Sequence, residues 1–178
     1  VGPLAISDEV SLSLMSHIRK QTAKDLQAEG KPLIEHPAFA VIDLLLNEYK
    51  RPGKAAGGGF YEYPAGGRKQ LWPGLKTLFE KADRQISPKD VRDRLLFVQA
   101  IETVRCLEEG VLTSTADANV GSIFGIGFAA WTGGALQFIN QYGVKDFVAR
   151  AQYLAGQYGE RFNPPALLLE KAAKGLTF

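Results

Sequence analysis

Residues 87–110 read SPKDVRDRLLFVQAIETVRCLEEG, and this stretch decides the fold. Ser87 is able to cap a helix, Pro88 suits its first turn, and Asp90 sets an acid three residues after the cap. Val91, Leu95, Val98, Ile101, Val104 and Leu107 then recur at helical spacing, and Gly110 supplies the stop. The same signs recur in both directions from this helix. Upstream, Ser7-Asp8-Glu9 starts a helix whose inner face is Ile6, Val10, Leu14 and Ile18, with Met15 beside them and Gly30 and Pro32 at its end. Pro37 opens another, apolar nearly all round through Leu44-Leu45-Leu46 and so expected to be deeply buried. Downstream, Thr115 or Asp117 begins a shorter helix ending near Phe124. Another spans 145–158 with Phe147, Ala151 and Leu154 inward, and Pro164-Pro165 precedes a last one. Only Phe60-Tyr61-Glu62-Tyr63 has the aromatic run of extended backbone. An all-α protein of stacked helices is the expected class.

The chain has 178 residues, 46% hydrophobic and 22% charged, with a net charge of +2. A chain of this size buries roughly 70% of the surface its unfolded form exposes, so its core needs no metal or disulfide. The small charge and the scattered Lys and Arg argue against a nucleic-acid partner. Cys106 is the single cysteine, which excludes a disulfide framework and metal-ligand spacing. No run approaches the ~20 apolar residues of a membrane span. No signal-peptide pattern opens the chain. Its first residues, Val1-Gly2-Pro3-Leu4, read as the inside of a motif and hence as a cut within a longer protein. Gly175-Leu176-Thr177-Phe178 is not the peroxisomal tripeptide, and a bacterial cytoplasm is the expected location.

Gly125-Ile126-Gly127-Phe128-Ala129-Ala130 matches the G-x-G-x-x-A pattern that cradles a dinucleotide pyrophosphate, and Asp146 stands where a ribose-binding acid would. The pattern needs a strand before it and a second strand after its helix. The residues that follow have helical spacing, so the glycines are read as a tight turn and not as a cofactor site. Gly57-Gly58-Gly59 lacks the Lys-Ser/Thr ending of a phosphate loop. No catalytic constellation is visible. His17 reads as solvated and His36 as solvated or capping. Cys106 reads as a small buried apolar residue. Glu108-Glu109 end a helix where negative charge is mildly unfavourable.

Segment 1–14 can be laid on segment 128–140, each leading into a helix with Leu or Ile inside, which suggests an internal repeat. The long helix that precedes the second copy would then have its counterpart upstream of Val1.

The ordered series Asp93-Arg94-Leu95-Leu96, Glu102 through Gly110, Ala116-Asp117-Ala118-Asn119, Gly125-Ile126-Gly127-Phe128 and Gly133-Gly134 resembles the C-terminal domain of 3-hydroxyacyl-CoA dehydrogenases. It is most similar to that of the large multifunctional β-oxidation enzymes, which also carry an enoyl-CoA hydratase region and two such domains in tandem. Gly2-Pro3-Leu4, Asp8-Glu9 and Gly58-Gly59-Phe60-Tyr61 resemble the end of the first copy. The resemblance implies two packed helical units of the 6-phosphogluconate-dehydrogenase C-terminal type, the second a diverged repeat of the first. Residues 1–63 would end the first domain, 64–86 connect, and 87–178 form the second.

The activity so implied is NAD-dependent oxidation of a 3-hydroxyacyl-CoA, with NAD bound by an upstream domain that also holds the catalytic His and Glu. No catalytic residue, cofactor ligand or metal ligand is expected within 1–178. The family's substrate-holding Asn has Asp93 in its place within Arg92-Asp93-Arg94, and no catalytic role is carried onto it. Phe124 occupies the place of a substrate-contacting aromatic and is the one substrate-binding candidate. Ala129-Ala130 replaces the family's Pro-Pro. The implied partners are the NAD-binding and hydratase regions of the same chain, the acyl-CoA, and a thiolase or a second copy. Two rival readings are a non-catalytic helical assembly module and a free-standing NAD enzyme using Gly125–Ala130.

Overall fold

The computed structural model describes residues 2–178; Val1, the first residue of the Val-Gly-Pro-Leu motif, lies outside the described residues. Among the described residues the helices are α1 (Pro3–Val10), α2 (Leu12–Ala28), α3 (Pro37–Asn47), α4 (Gly74–Phe79), α5 (Pro88–Glu108), α6 (Thr115–Ile126), α7 (Ala135–Tyr142), α8 (Val144–Tyr158) and α9 (Ala166–Lys174). The strands among them are β1 (Tyr61–Glu62) and β2 (Gln70–Leu71), antiparallel with Tyr61 opposite Leu71. The protein is therefore all-α. It divides into two compact units, one ending at Asp83 and the other running from Arg84 to Phe178. No helix of the described residues is long and apolar enough to cross a membrane.

The second unit is built on α5. Ser87 Oγ accepts a hydrogen bond from the Asp90 amide at 3.0 Å and starts the helix at Pro88, as its sequence predicts. Phe97, Ile101 and Val104 on α5, Leu136 and Ile139 on α7, and Phe147, Ala151 and Leu154 on α8 are all fully buried. Phe97 stacks on Phe147 with ring centroids 4.0 Å apart and meets Tyr142 edge-on at 5.2 Å. The predicted inner face of α5 is corrected at its first turns, where Val91 and Leu95 are 44% and 45% exposed. The helix is rolled so that Asp90 and Asp93 turn inward to an arginine on α8, which carries Val91 and Leu95 outward.

In the first unit, the predicted single helix from Ser7 to Glu29 is two. Ser11 adopts φ 80° between α1 and α2, its side chain caps Leu14, and the Leu12 amide donates to Pro52 O. The predicted inner stripe is also corrected: Ile6, Val10, Leu14 and Ile18 are all exposed, and Ala5, Asp8, Leu12 and Ser16 are buried instead. The reason is Asp8. Its carboxylate accepts the amides of Phe60 and Tyr61 at 2.7 and 2.8 Å and the Tyr63 hydroxyl at 2.9 Å, which turns that side of α1 to the interior. A Cβ on Gly59 would stand 2.0 Å from Asp8 Oδ1, so this approach requires a glycine there. α3 buries only Ile42 and Leu45, and these join Leu12 and Phe60 in a small core. Residues 70–79 carry β2 and α4, and Trp72 and Leu75 pack on that same core.

The two units share a plan. An eight-residue helix is joined by one residue to a long helix, with Ser11 at φ 80°, ψ 134° in the first unit and Gly143 at φ 90°, ψ 115° in the second. Leu12 thus corresponds to Val144 and Pro3 to Ala135, a register shifted from the one that pairs Val1 with Phe128. The sixth residue of each short helix then holds a later aromatic. Asp8 takes the Phe60 amide, and Asn140 takes the Phe178 amide at 2.9 Å while donating back to Phe178 O at 3.2 Å.

Candidate functional site

α6 presents an exposed apolar surface in the second unit. Ser114 caps it through the Asp117 amide. Asn119 and Ser122 face inward: Asn119 Oδ1 accepts the amides of Leu136 and Gln137, both at 3.0 Å, and Ser122 Oγ accepts that of Ala135 at 3.0 Å. These two side chains cap α7, whose own N-cap, Gly134, has none. Fixing that face inward sends Val120 and Phe124, one turn apart, outward at 57% and 86% exposure. Ile126 and Trp131 are exposed as well.

Two concavities adjoin this surface. A groove of about 460 Å³ lies between α5 and α6, with Val98, Cys106 and Leu112 opposite Ala118, Gly121 and Ile126. A shallower hollow of about 610 Å³ lies between Val91 and Leu95 of α5 and the turn of Ala129 and Trp131. Phe124, the predicted substrate contact, lines neither and stands on the open face of α6. Its ring can offer apolar or stacking contact, and burying it against a partner would contribute about 1.5–3 kcal/mol.

Gly125–Ala130 is the C-terminal end of α6 and the turn after it. Gly127 takes the left-handed conformation at φ 68°, and its amide and that of Phe128 both return to Ser122 O. A dinucleotide cradle needs amides at a helix N-terminus, whereas this end presents carbonyl oxygens, the negative end of the helix dipole. These residues do not fit a pyrophosphate.

Asp93 is tied up in a charge cluster. Arg150 Nε donates to Asp93 Oδ2 at 2.8 Å and Arg150 Nη2 donates to Asp90 Oδ1. Lys89 Nζ reaches Asp93 at 2.7 Å, and the Tyr158 hydroxyl donates to Asp90 at 2.7 Å. The hydrogen bond from Tyr158, followed by that from Arg150, holds the Asp90 carboxyl below its usual range, and the same bond pushes the Tyr158 hydroxyl up. With its Oδ2 shared by Lys89 and Arg150 and its side chain buried, Asp93 ties α5 to α8. Neither Arg150 nor Tyr158 was picked out from the sequence. Asp90 and Asp93 lie one turn apart on a helix rich in charged residues and off the Val91–Leu95 stripe that the periodicity marks as inward, so no local signal points to them as a buried pair.

The other sequence candidates are not gathered into a site. His17 is exposed on α2, and His36 caps α3 by accepting the Ala38 amide at 3.2 Å. Cys106 is half-buried beside the α5–α6 groove, not sealed in the core as its helical position suggests. Glu108 has a use at its helix end: it accepts the Leu167 amide at 2.8 Å and so caps α9. Among the described residues no three His, Cys, Asp or Glu side chains come together to hold a metal ion.

No family model matches the chain. Among the relatives that do match are three named fatty acid oxidation complex subunit alpha. They come from Vibrio parahaemolyticus serotype O3:K6 at 33% identity, Vibrio vulnificus at 34% and Vibrio campbellii at 33%. Each match covers 100% of this chain and 24% of the relative, so the chain spans about a quarter of the length of the relatives it matches. Over its whole length, this chain is a relative of part of the fatty acid oxidation complex alpha subunits.

Proposed function

We propose that residues 1–178 are the C-terminal, substrate-side and scaffold region of an NAD-dependent 3-hydroxyacyl-CoA dehydrogenase acting in fatty-acid β-oxidation in a bacterial cytoplasm. The observation that carries this reading is similarity along the entire chain to fatty acid oxidation complex alpha subunits. On this reading residues 1–63 end the first C-terminal domain, 64–86 connect, and 87–178 form the second. The NAD domain, with its acid–base pair, and the enoyl-CoA hydratase region belong to the rest of the polypeptide. NAD, held there, would accept the hydride. This region's work is positional: it holds the nucleotide domain and supplies an apolar wall against the acyl-CoA, since the transfer requires both reactants fixed at close range. A thiolase or a second copy of the polypeptide is the implied assembly partner.

A second reading, a purely structural assembly module, is favoured by the same exposed surface of Val120, Phe124 and Trp131. The test is Phe124→Ala in the intact polypeptide. A several-fold higher KM for 3-hydroxyacyl-CoA, with the NAD KM unchanged, is the expected result, because only ground-state binding is removed. Unchanged kinetics with a smaller sedimenting species would instead assign the surface to assembly. Residues 1–178 alone are expected to give no saturable calorimetric signal with NAD, and such a signal would reopen Gly125–Ala130.

A further inference from the structure

The groove between α5 and α6 adjoins the exposed apolar face of α6, and Ile126 belongs to both. At about 460 Å³ it has the size of a small-molecule site. Leu112, in the turn that joins the two helices, stands at one end, and Val98 and Ile126 stand at the other. Its polar side chains are already engaged within the chain. Gln99 donates to Leu95 O at 2.7 Å, Thr103 to Gln99 O at 2.9 Å and Ser122 to Asn119 O at 2.8 Å. Glu102 accepts from Arg105 at 2.8 Å, and Asp117 accepts from the Ser114 hydroxyl at 2.7 Å. An occupant is therefore held mainly by apolar contact. Gly121 shapes the space. It lies inside α6, has no positive φ, and a Cβ there would meet nothing within 4 Å. Neither backbone nor packing in this chain asks for a glycine, which weakens a helix relative to alanine. Its effect is to leave the α6 wall open, opposite Val98 and Cys106.

We propose that this groove receives the far end of the fatty-acyl chain of a long 3-hydroxyacyl-CoA, and that Gly121 sets the length it accepts. The inference deepens the dehydrogenase reading and rests on it. Two observations choose an acyl chain over a protein segment. The groove is continuous, at Ile126, with the face that carries Phe124, so a chain lying on that face runs into it. Glu102 and Asp117 also stand exposed on its opposite lips. A protein surface laid across the groove would cover both carboxylates, and desolvating them is costly. An acyl chain enters beneath them and leaves both in water. The same two acids repel the CoA phosphates, so the uncharged methyl end is the part that enters.

The experiment measures kcat/KM of the full-length polypeptide, at saturating NAD, for 3-hydroxyhexadecanoyl-CoA and 3-hydroxybutyryl-CoA. Gly121→Leu puts a side chain into the groove with neither a clash nor a strained φ. Gly156→Leu, at an exposed position of α8 with equally open surroundings, is the control. Each methylene kept out of an apolar site weakens binding about fourfold. Excluding two or more should lower the long-to-short ratio of kcat/KM at least about tenfold in Gly121→Leu and leave it unchanged in Gly156→Leu. An unmoved ratio, an equal loss for both substrates, or the same fall in the control would each overturn the proposal. An unmoved ratio with a lower melting temperature would show that another part of the polypeptide covers the groove, which overturns it too. An unsubstituted polypeptide that oxidises neither substrate would sink the dehydrogenase reading and this inference with it. One that oxidises both, with a ratio that Gly121→Leu does not move, sinks the inference alone.

Discussion

Gly127 and Phe124 lie three residues apart and ask different things of their surroundings. Nothing lies within 4 Å of the position a Cβ on Gly127 would take, so a side chain there meets no neighbour. What it meets is φ 68°, a conformation costly for any residue with a Cβ and most costly for a β-branched one. Gly127→Val should therefore lose on the order of 1–3 kcal/mol of stability through backbone strain alone. Phe124, at 86% exposure, has little stabilising contact to lose in this chain. Its truncation to Ala should change stability by about 0.5 kcal/mol or less, as at an ordinary surface position. Urea unfolding of both variants checks this. A loss of about 3–5 kcal/mol for Phe124→Ala, the range of a core aromatic, would show that the ring is buried and exclude it as a free contact surface.

At the scale of the element, α5 shows what a buried charge pair does to a helix. Arg150 is 15% exposed and Asp93 4%, so removing the guanidinium leaves a carboxylate with few ways back to water. Arg150→Met should cost about 3 kcal/mol at neutral pH, the lower end for a broken buried pair, because Lys89 remains on Asp93. The cluster also has a pH signature. The folded Asp90 carboxyl holds its proton less readily than the unfolded one, so its contribution is present above the ordinary carboxylate range. That contribution is lost as pH falls from about 4 through the folded value, where the unfolded chain binds more protons. Tyr158→Phe removes the first cause of the shift and should flatten this acid loss of stability. A pH profile unchanged between the variant and the parent chain would mean that Tyr158 does not hold the carboxyl down.

The same elements show which parts of the fold were legible. The start of α5 could be read because Ser87, Pro88 and Asp90 act on amides within three residues of themselves. The break at Ser11 could not, because a serine at φ 80° carries no local mark and the Leu12 amide after it is held by the carbonyl of Pro52, far along the chain. Asp8 reads locally as a helix start, and the amides that bury it lie beyond residue 59. Glu108 looked misplaced because the helix it caps begins far down the chain. The apolar stripe of Ile6, Val10, Leu14 and Ile18 was a real pattern, but among the described residues nothing buries it. For the candidate site, the sequence pointed to α6 and to Phe124, while the outward roll of that helix depends on Asn119 and Ser122 finding α7.

Across the whole molecule the two cores are unequal. The first rests on Leu12, Ile42, Leu45 and Phe60, with Asp8 fastening the extended segment to α1. The second gathers buried side chains from α5 through α9, with an aromatic cluster at its centre. Helix length cannot offset the difference: α2 and α8 are 17 and 15 residues long, and most helical stability comes from packing of the apolar face. Local opening should follow the density of buried contacts. Hydrogen exchange on residues 1–178 should then show the amides of α2 and α3 exchanging at least about tenfold faster than those of α5, α7 and α8, a difference of about 1.4 kcal/mol in opening free energy. Equal protection of α2 and α8 in the 178-residue chain would mean that the first unit draws stability from something beyond its four-residue core.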